Sequence, residues 1–149
     1  MEDASLFERY AIQGRLYKIN EDGSRQLMAN YDLNPILKKS PQGISFGRGQ
    51  HSNLDIIVDD PTGTVSRVHG WIIRDDGNLA LIDNSSNGSL AETYSGKNEI
   101  KGEKLILIHN HFKDNKGIAQ IYFGNLEGRR DRRAYCLEIL LERKPTQSD

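Results

Sequence analysis

The fold class the sequence predicts is all-β, a sandwich or a barrel. Short apolar or alternating stretches recur along the chain, turn-forming residues separate them, and the one segment able to start a helix is brief and interrupted by Pro35. The stretches run Tyr10 to Ile19, Gly43 to Arg48, Asp55 to Val58, His69 to Arg74, Leu79 to Asp83, Lys104 to His109, Ile118 to Phe123 and Ala134 to Glu142. Their lengths suit strands, and no repeat or low-complexity segment breaks the pattern.

Taken in order, the first strand ends at Asn20-Glu21-Asp22-Gly23, whose residues tolerate positive φ or make Asx turns. Asp75-Asp76-Gly77-Asn78 and Asn115-Lys116-Gly117 do the same later in the chain, so each is expected to join two strands as a hairpin. Leu33 to Lys39 is expected to be a loop, because Pro35 cannot donate within a helix and the segment is short. Trp71, Ile73, Leu79 and Leu81 alternate as one core-facing row, so Trp71 is expected to pack rather than recognise. In the last stretch Tyr135, Leu137, Ile139 and Leu141 form an apolar face against Cys136, Glu138, Leu140 and Glu142. The ends, residues 1–8 and 144–149, lack periodicity and are expected to flank a single domain over residues 9–143.

Composition narrows the function. A chain of 149 residues holds one domain, and 36% hydrophobic with 28% charged residues excludes the disordered and membrane classes. The net charge of −1 supplies no electrostatic pull towards nucleic acid. The longest apolar run, Leu105 to Ile108, is too short to span a bilayer, and Met1-Glu2-Asp3 resembles no signal peptide, so an intracellular protein that binds neither nucleic acid directly nor membrane is expected. A single cysteine, Cys136, forms no internal disulfide and no zinc site by itself, and is read as a small apolar residue.

Chemistry concentrates in three gaps between strands: Gly47-Arg48, then Ser66-Arg67-Val68-His69, then Asp83 through Gly88, reading Asp-Asn-Ser-Ser-Asn-Gly. Each fragment alone is ordinary: an arginine at a strand end, a serine cap, a hairpin Asn-Gly. In this order, on a strand-rich background, they resemble the forkhead-associated (FHA) domain, with the resemblance covering roughly residues 43–124.

That resemblance implies a β-sandwich of two mainly antiparallel sheets with about eleven strands. It also implies a phosphothreonine-binding module without cofactor or catalytic residue, which recruits its parent protein to a phosphorylated partner. A phosphothreonine carries about −1.5 to −2 charges and three acceptor oxygens, so it calls for fixed donors and a guanidinium. By resemblance Arg48 and Ser66 bond the phosphate, Ser86 lies near it, Arg67 lies near it or the peptide backbone, and Asn87 holds the backbone beside the phosphothreonine. Gly47 and Gly88 serve the turns, the first by permitting the bend before Arg48, and His69 braces the loops. A small apolar pocket for the threonine γ-methyl separates threonine from serine by about 1 kcal/mol.

The run Arg129-Arg130-Asp131-Arg132-Arg133 is expected to be a loop before the final strand. By resemblance it helps select the residue three places after the phosphothreonine, favouring Asp or Glu, with Thr64 as a second contact. Thr146-Gln147 resembles a target of DNA-damage checkpoint kinases, which suggests a phosphorylation-dependent dimer and, by family association, nuclear signalling. Two departures from the family pattern concern loops: Ser95 to Asn98 and Glu103-Lys104 replace a short turn and a Gly-Asp pair, and His109 to Gly117 is longer than usual.

Other readings use the same residues. His109-Asn110-His111 could face a metal from one side of a strand, but nothing completes the set. Ser66 and His69 could suggest a hydrolase, yet no G-x-S-x-G elbow occurs. A sandwich that associates or dimerises without phosphate is the remaining alternative.

Overall fold

The computed structural model describes residues 10–39, 43–49, 54–60, 63–75, 78–93, 96–108, 116–126 and 129–143, with side chains at all of these except 108, 116 and 129–131. The segments 1–8 and 144–149 with Thr146, the His109-Asn110-His111 cluster and the tip of the hairpin expected over residues 109–117 lie outside the described residues.

Eleven strands are described: β1 (Tyr10–Ile19), β2 (Arg25–Asp32), β3 (Ile44–Gly47), β4 (Ile56–Ile57), β5 (Gly70–Asp75), β6 (Asn78–Asp83), β7 (Ser89–Thr93), β8 (Gly96–Ile100), β9 (Lys104–Ile108), β10 (Lys116–Leu126) and β11 (Arg129–Arg143). They form a sandwich of a larger sheet, ordered β2-β1-β11-β10-β7-β8, and a smaller one, ordered β4-β3-β5-β6-β9. Among the described pairs only β3 with β4 is parallel. The two sheets bury Ile12, Leu16, Ile121, Phe123, Leu137 and Ile139 from one side against Ile44, Phe46, Ile72, Leu79, Leu81 and Leu107 from the other. Each such side chain contributes roughly 1.5–3 kcal/mol on burial, so this interior is what anchors the loops at its end.

The first hairpin forms where the turn residues predict it. Gly23 takes φ +88°, its N–H donates to the Asn20 carbonyl at 2.9 Å, and Asp22 Oδ1 accepts from Ser24 N–H at 2.9 Å. Asp75 likewise pairs with Asn78 across the predicted β5–β6 turn.

Leu33–Lys39 is a helix, α1, and not the expected loop. Pro35 is its third residue, inside the first turn, where a backbone N–H has no intrahelical acceptor to lose. Leu33 and Leu37, four residues apart, bury one face. Asn34 then extends the sheet from the helix: its Oδ1 accepts from Ile12 N–H at 2.7 Å, and its Nδ2 donates to the Tyr10 carbonyl at 3.1 Å. One amide thus satisfies the β1 edge beyond the last β2 pair, Gln13 with Asp32.

Two further expectations change. The core-facing row of β5 starts at Ile72, which is fully buried, whereas Trp71 and Ile73 are half-buried on the outer face. The register makes the reason plain: Ile72 pairs with Leu81 while Trp71 pairs with Ile82, so the β5 phase is one residue from that expected. The arginine run is also not a loop. It begins β11, pairing Leu126 with Arg129 and Asn125 with Arg133 around a bulge between Asn125 and Leu126.

On β11 the apolar face is as expected, and Cys136 on the opposite face is also buried, flanked in register by Tyr17 and Tyr122. Burial pushes its thiol up to about 12, which keeps it neutral. No described helix is long and apolar enough to cross a membrane.

Candidate functional site

The three loop clusters meet at one end of the smaller sheet. Gly47 and Arg48 leave β3 and run beside residues 66–69: the His69 N–H donates to the Phe46 carbonyl at 2.8 Å, Arg48 N–H to the Ser66 carbonyl at 2.9 Å, and Gly49 N–H to the Arg67 carbonyl at 3.1 Å. This contact explains Gly47 differently from the expectation. Its φ is not positive, but a Cβ there would collide with the Arg67 carbonyl oxygen and come within 2.8 Å of His69 N and Ser66 O. The positive φ, +75°, belongs to Gly49.

Arg48 is half-buried, and its Nε donates to the Val65 carbonyl at 3.1 Å, so the guanidinium starts from a fixed base. Ser66 is held twice. Its N–H donates to His69 Nδ1 at 3.2 Å, and its Oγ accepts from Ser86 N–H at 3.1 Å. Arg67 and Ser86 are exposed beside it. Asn87, also exposed, donates from Nδ2 to the Thr64 carbonyl at 2.9 Å. Arg48, Ser66, Ser86 and Asn87 are therefore joined by hydrogen bonds through the short run from Thr64 to Ser66.

Beneath them lies a buried polar network. Because Nδ1 of His69 accepts from Ser66, the ring carries its proton on Nε2, which donates to Ser89 Oγ at 3.0 Å and lies 3.3 Å from the Gly88 carbonyl. The Ser89 hydroxyl in turn donates to Asp83 Oδ1 at 2.8 Å. Asp83 also accepts from Ser85 Oγ, from Ser85 N–H at 3.2 Å and from Gly102 N–H at 2.9 Å. A carboxylate buried to 2% exposure is thereby supplied with four donors. Asn84 completes the tie between loops, donating from its N–H to the His69 carbonyl at 2.8 Å. Gly88 takes φ +78°, and a Cβ there would sit 2.9 Å from the Ile100 carbonyl oxygen.

His69 is fully buried between Phe46 and Phe123, with ring centroids 5.7 and 5.1 Å away. Burial brings its pKa down to about 4, against the opposing pull of Asp83, so the ring is neutral at pH 7 and its 3.8 Å approach to Asp83 is not an ion pair. The imidazole meets Ser66 at the main-chain N–H and not at the hydroxyl, so it supplies no general base to that serine.

The remaining candidates are the arginines of β11 and Thr64, in the loop before β5. Arg132 and Arg133 are half-buried, and Arg133 is close enough to oppose protonation of His69. The side chains of Arg129 and Arg130 fall outside the described residues. Thr64 is half-buried and faces inwards to Asp60 and Asn125. Sequence reasoning passed over Asp60, Ser89 and Asn125, and it included Asp83 and Ser85 in the third loop cluster without giving them a role. The Asp-x-Ser spacing at Asp83 and Ser85 is an Asx-turn signal and could have drawn notice. Among the described residues, no group of three or more His, Cys, Asp or Glu side chains could hold a metal.

The family model described as FHA domain matches residues 44–110. No match was found among curated proteins. Among solved structures, the chain is similar to the N-terminal FHA domain of S. cerevisiae Rad53p in complex with a phosphothreonine peptide, at 19% identity over 88% of this chain and 93% of that one, TM-score 0.44. It is similar to Mycobacterium tuberculosis Rv1747 FHA-1 at 18% identity over 89% and 99%, TM-score 0.43. An engineered FHA domain with a Myc-pTBD peptide gives 18% identity over 90% and 93%, TM-score 0.48.

Proposed function

We propose, from the match of residues 44–110 to the FHA-domain family model, that the chain is a non-catalytic module that binds phosphothreonine peptides and so mediates phosphorylation-dependent association with a partner protein. The observation that carries this reading is the convergence of Arg48, Ser66 and Ser86, distant in sequence, on one exposed end of a rigid sheet.

In this reading the guanidinium of Arg48, fixed at Nε, faces the phosphate with charge-assisted hydrogen bonds. Ser66 accepts from Ser86 N–H, which directs its own hydroxyl proton to a phosphate oxygen. Arg67, exposed beside Ser66, adds positive charge at the rim. Asn87 spends one N–H on Thr64 and keeps its other N–H and its carbonyl for the peptide backbone. Since the loops are bonded to one another before any ligand arrives, little ordering cost falls on binding.

Specificity comes from β11. Arg132 and Arg133 lie at the loop end of the hairpin, which supports a preference for Asp or Glu three places after the phosphothreonine. An oriented peptide library that returned aliphatic residues there would remove this part.

The test is a titration with a phosphothreonine peptide, its phosphoserine form and its unphosphorylated form. Binding is expected only for the phosphorylated pair, with phosphoserine weaker by about 5-fold for the lost methyl contact. Equal affinity with and without phosphate would contradict the reading.

A further inference from the structure

Thr64 stands where three segments distant in sequence meet. Its carbonyl accepts from Asn87 Nδ2 at 2.9 Å. Its hydroxyl accepts from the backbone N–H of Asn125 at 2.8 Å and lies 3.4 Å from Asp60 Oδ2. Asp60, buried to 6% exposure, also takes the Val65 N–H at 2.8 Å.

On the β10 side the approach is equally close. Gly124 takes φ +70°, and a Cβ there would come within 2.8 Å of Val65 Cγ2. Asn125 follows it, directly opposite Arg133 and just before the bulge. The end of the basic hairpin is thus pressed against the loop that carries Ser66, and a threonine hydroxyl bridges the two. Asn125 Oδ1 is buried at this junction without a hydrogen-bond partner among the described residues.

We propose that Thr64 is a positioning residue that couples the basic end of the β10–β11 hairpin to the phosphate-facing loops. A hydroxyl engaged inwards by a donor and an acceptor is a strut and not a peptide contact, which revises the sequence expectation for this residue. Through its carbonyl Thr64 sets Asn87, and through its hydroxyl it sets Asn125 and hence the register of Arg133. Occupying the phosphate site therefore changes the environment of the hairpin. This rests on the phosphothreonine reading and deepens it.

Two variants separate the hydroxyl from the shape: Thr64→Val keeps the branched side chain, and Thr64→Ser keeps the hydroxyl. Without ligand, amide hydrogen exchange at Asn125 is expected to be about 10-fold faster in Thr64→Val than in wild type, with Thr64→Ser close to wild type. With a saturating phosphothreonine peptide that carries alanine three places after the phosphothreonine, so that no acidic side chain meets the arginines directly, the amide resonances of Asn125 and Arg133 are expected to shift in wild type and Thr64→Ser but to stay in place in Thr64→Val. Equal hairpin shifts in Thr64→Val and wild type would overturn the proposal, as would unchanged Asn125 exchange. If wild type ignores phosphate altogether, the phosphothreonine reading fails by itself, and the coupling to a phosphate site is overturned with it. Hairpin shifts absent from a wild type that does bind phosphate would overturn the coupling alone.

Discussion

Two polar clusters in this sandwich look alike on paper and differ in what surrounds them. At the loop end, His69, Ser89, Asp83 and Ser85 form a chain of hydrogen bonds shut away from solvent. On the outer face of the larger sheet, Arg25 bonds Gln120 at 3.0 Å and Tyr122 at 2.6 Å and lies over the rings of Tyr17 and Tyr122, at 5.7 and 5.6 Å from their centroids. The outer cluster is also held by hydrogen bonds and ring contacts, yet Arg25 is exposed and water can replace what it loses. The buried chain has no such substitute, and every bond in it fixes the position of a loop residue. Burial, more than the number of bonds, marks the cluster that shapes the site.

The strongest way to break this comparison is Asp83→Ala. It strands four donors in the interior and is expected to lower the unfolding free energy by about 3 kcal/mol or more in urea denaturation. Acidification probes the same chain through His69. The unfolded imidazole takes up its proton near pH 6.5 while the folded one resists until about 4, so stability falls as the pH drops through that window. The loss sums to roughly 3 kcal/mol, and a His69→Gln variant, which removes this buried imidazole, should show a flatter stability profile between those pH values. Arg48→Ala leaves the buried chain intact and is expected to weaken phosphothreonine peptide binding by about 100-fold in calorimetry, with little change in melting temperature. Arg25→Ala on the outer face should cost only about 0.5–1 kcal/mol and leave peptide affinity unchanged. A larger loss there than in Asp83→Ala would invert the comparison.

Legibility in the sequence follows the same division between what is local and what is buried. Strands with one wet face, such as β1 and β11, carry a two-residue alternation and can be read directly. β2 could not be read that way: as an edge strand it exposes Leu27 and Met28 and has no apolar phase to detect. β7 and β8 were missed because short strands with polar residues depend on neighbours for their pairing. Helix α1 was misread at Pro35, since a proline breaks a helix interior but is tolerated in its first turn. At the site, the outward residues Arg48, Ser66, Ser86 and Asn87 stand in a recognisable order. The supports beneath them come from contacts between segments far apart in the chain, as with Asp83 and Gly102 or Thr64 and Asn125, and single residues give no sign of such pairings.

The central claim is that the loop end, and not the sheet face, meets a phosphorylated peptide. Backbone amide shifts of the isotope-labelled domain on adding a phosphothreonine peptide test it most directly. The changes are expected to concentrate at Arg48, Ser66, Ser86 and Asn87, to leave Tyr17, Arg25 and Tyr122 in place, and to vanish with the unphosphorylated peptide. Changes centred on the outer face, or the same changes without the phosphate, would contradict it.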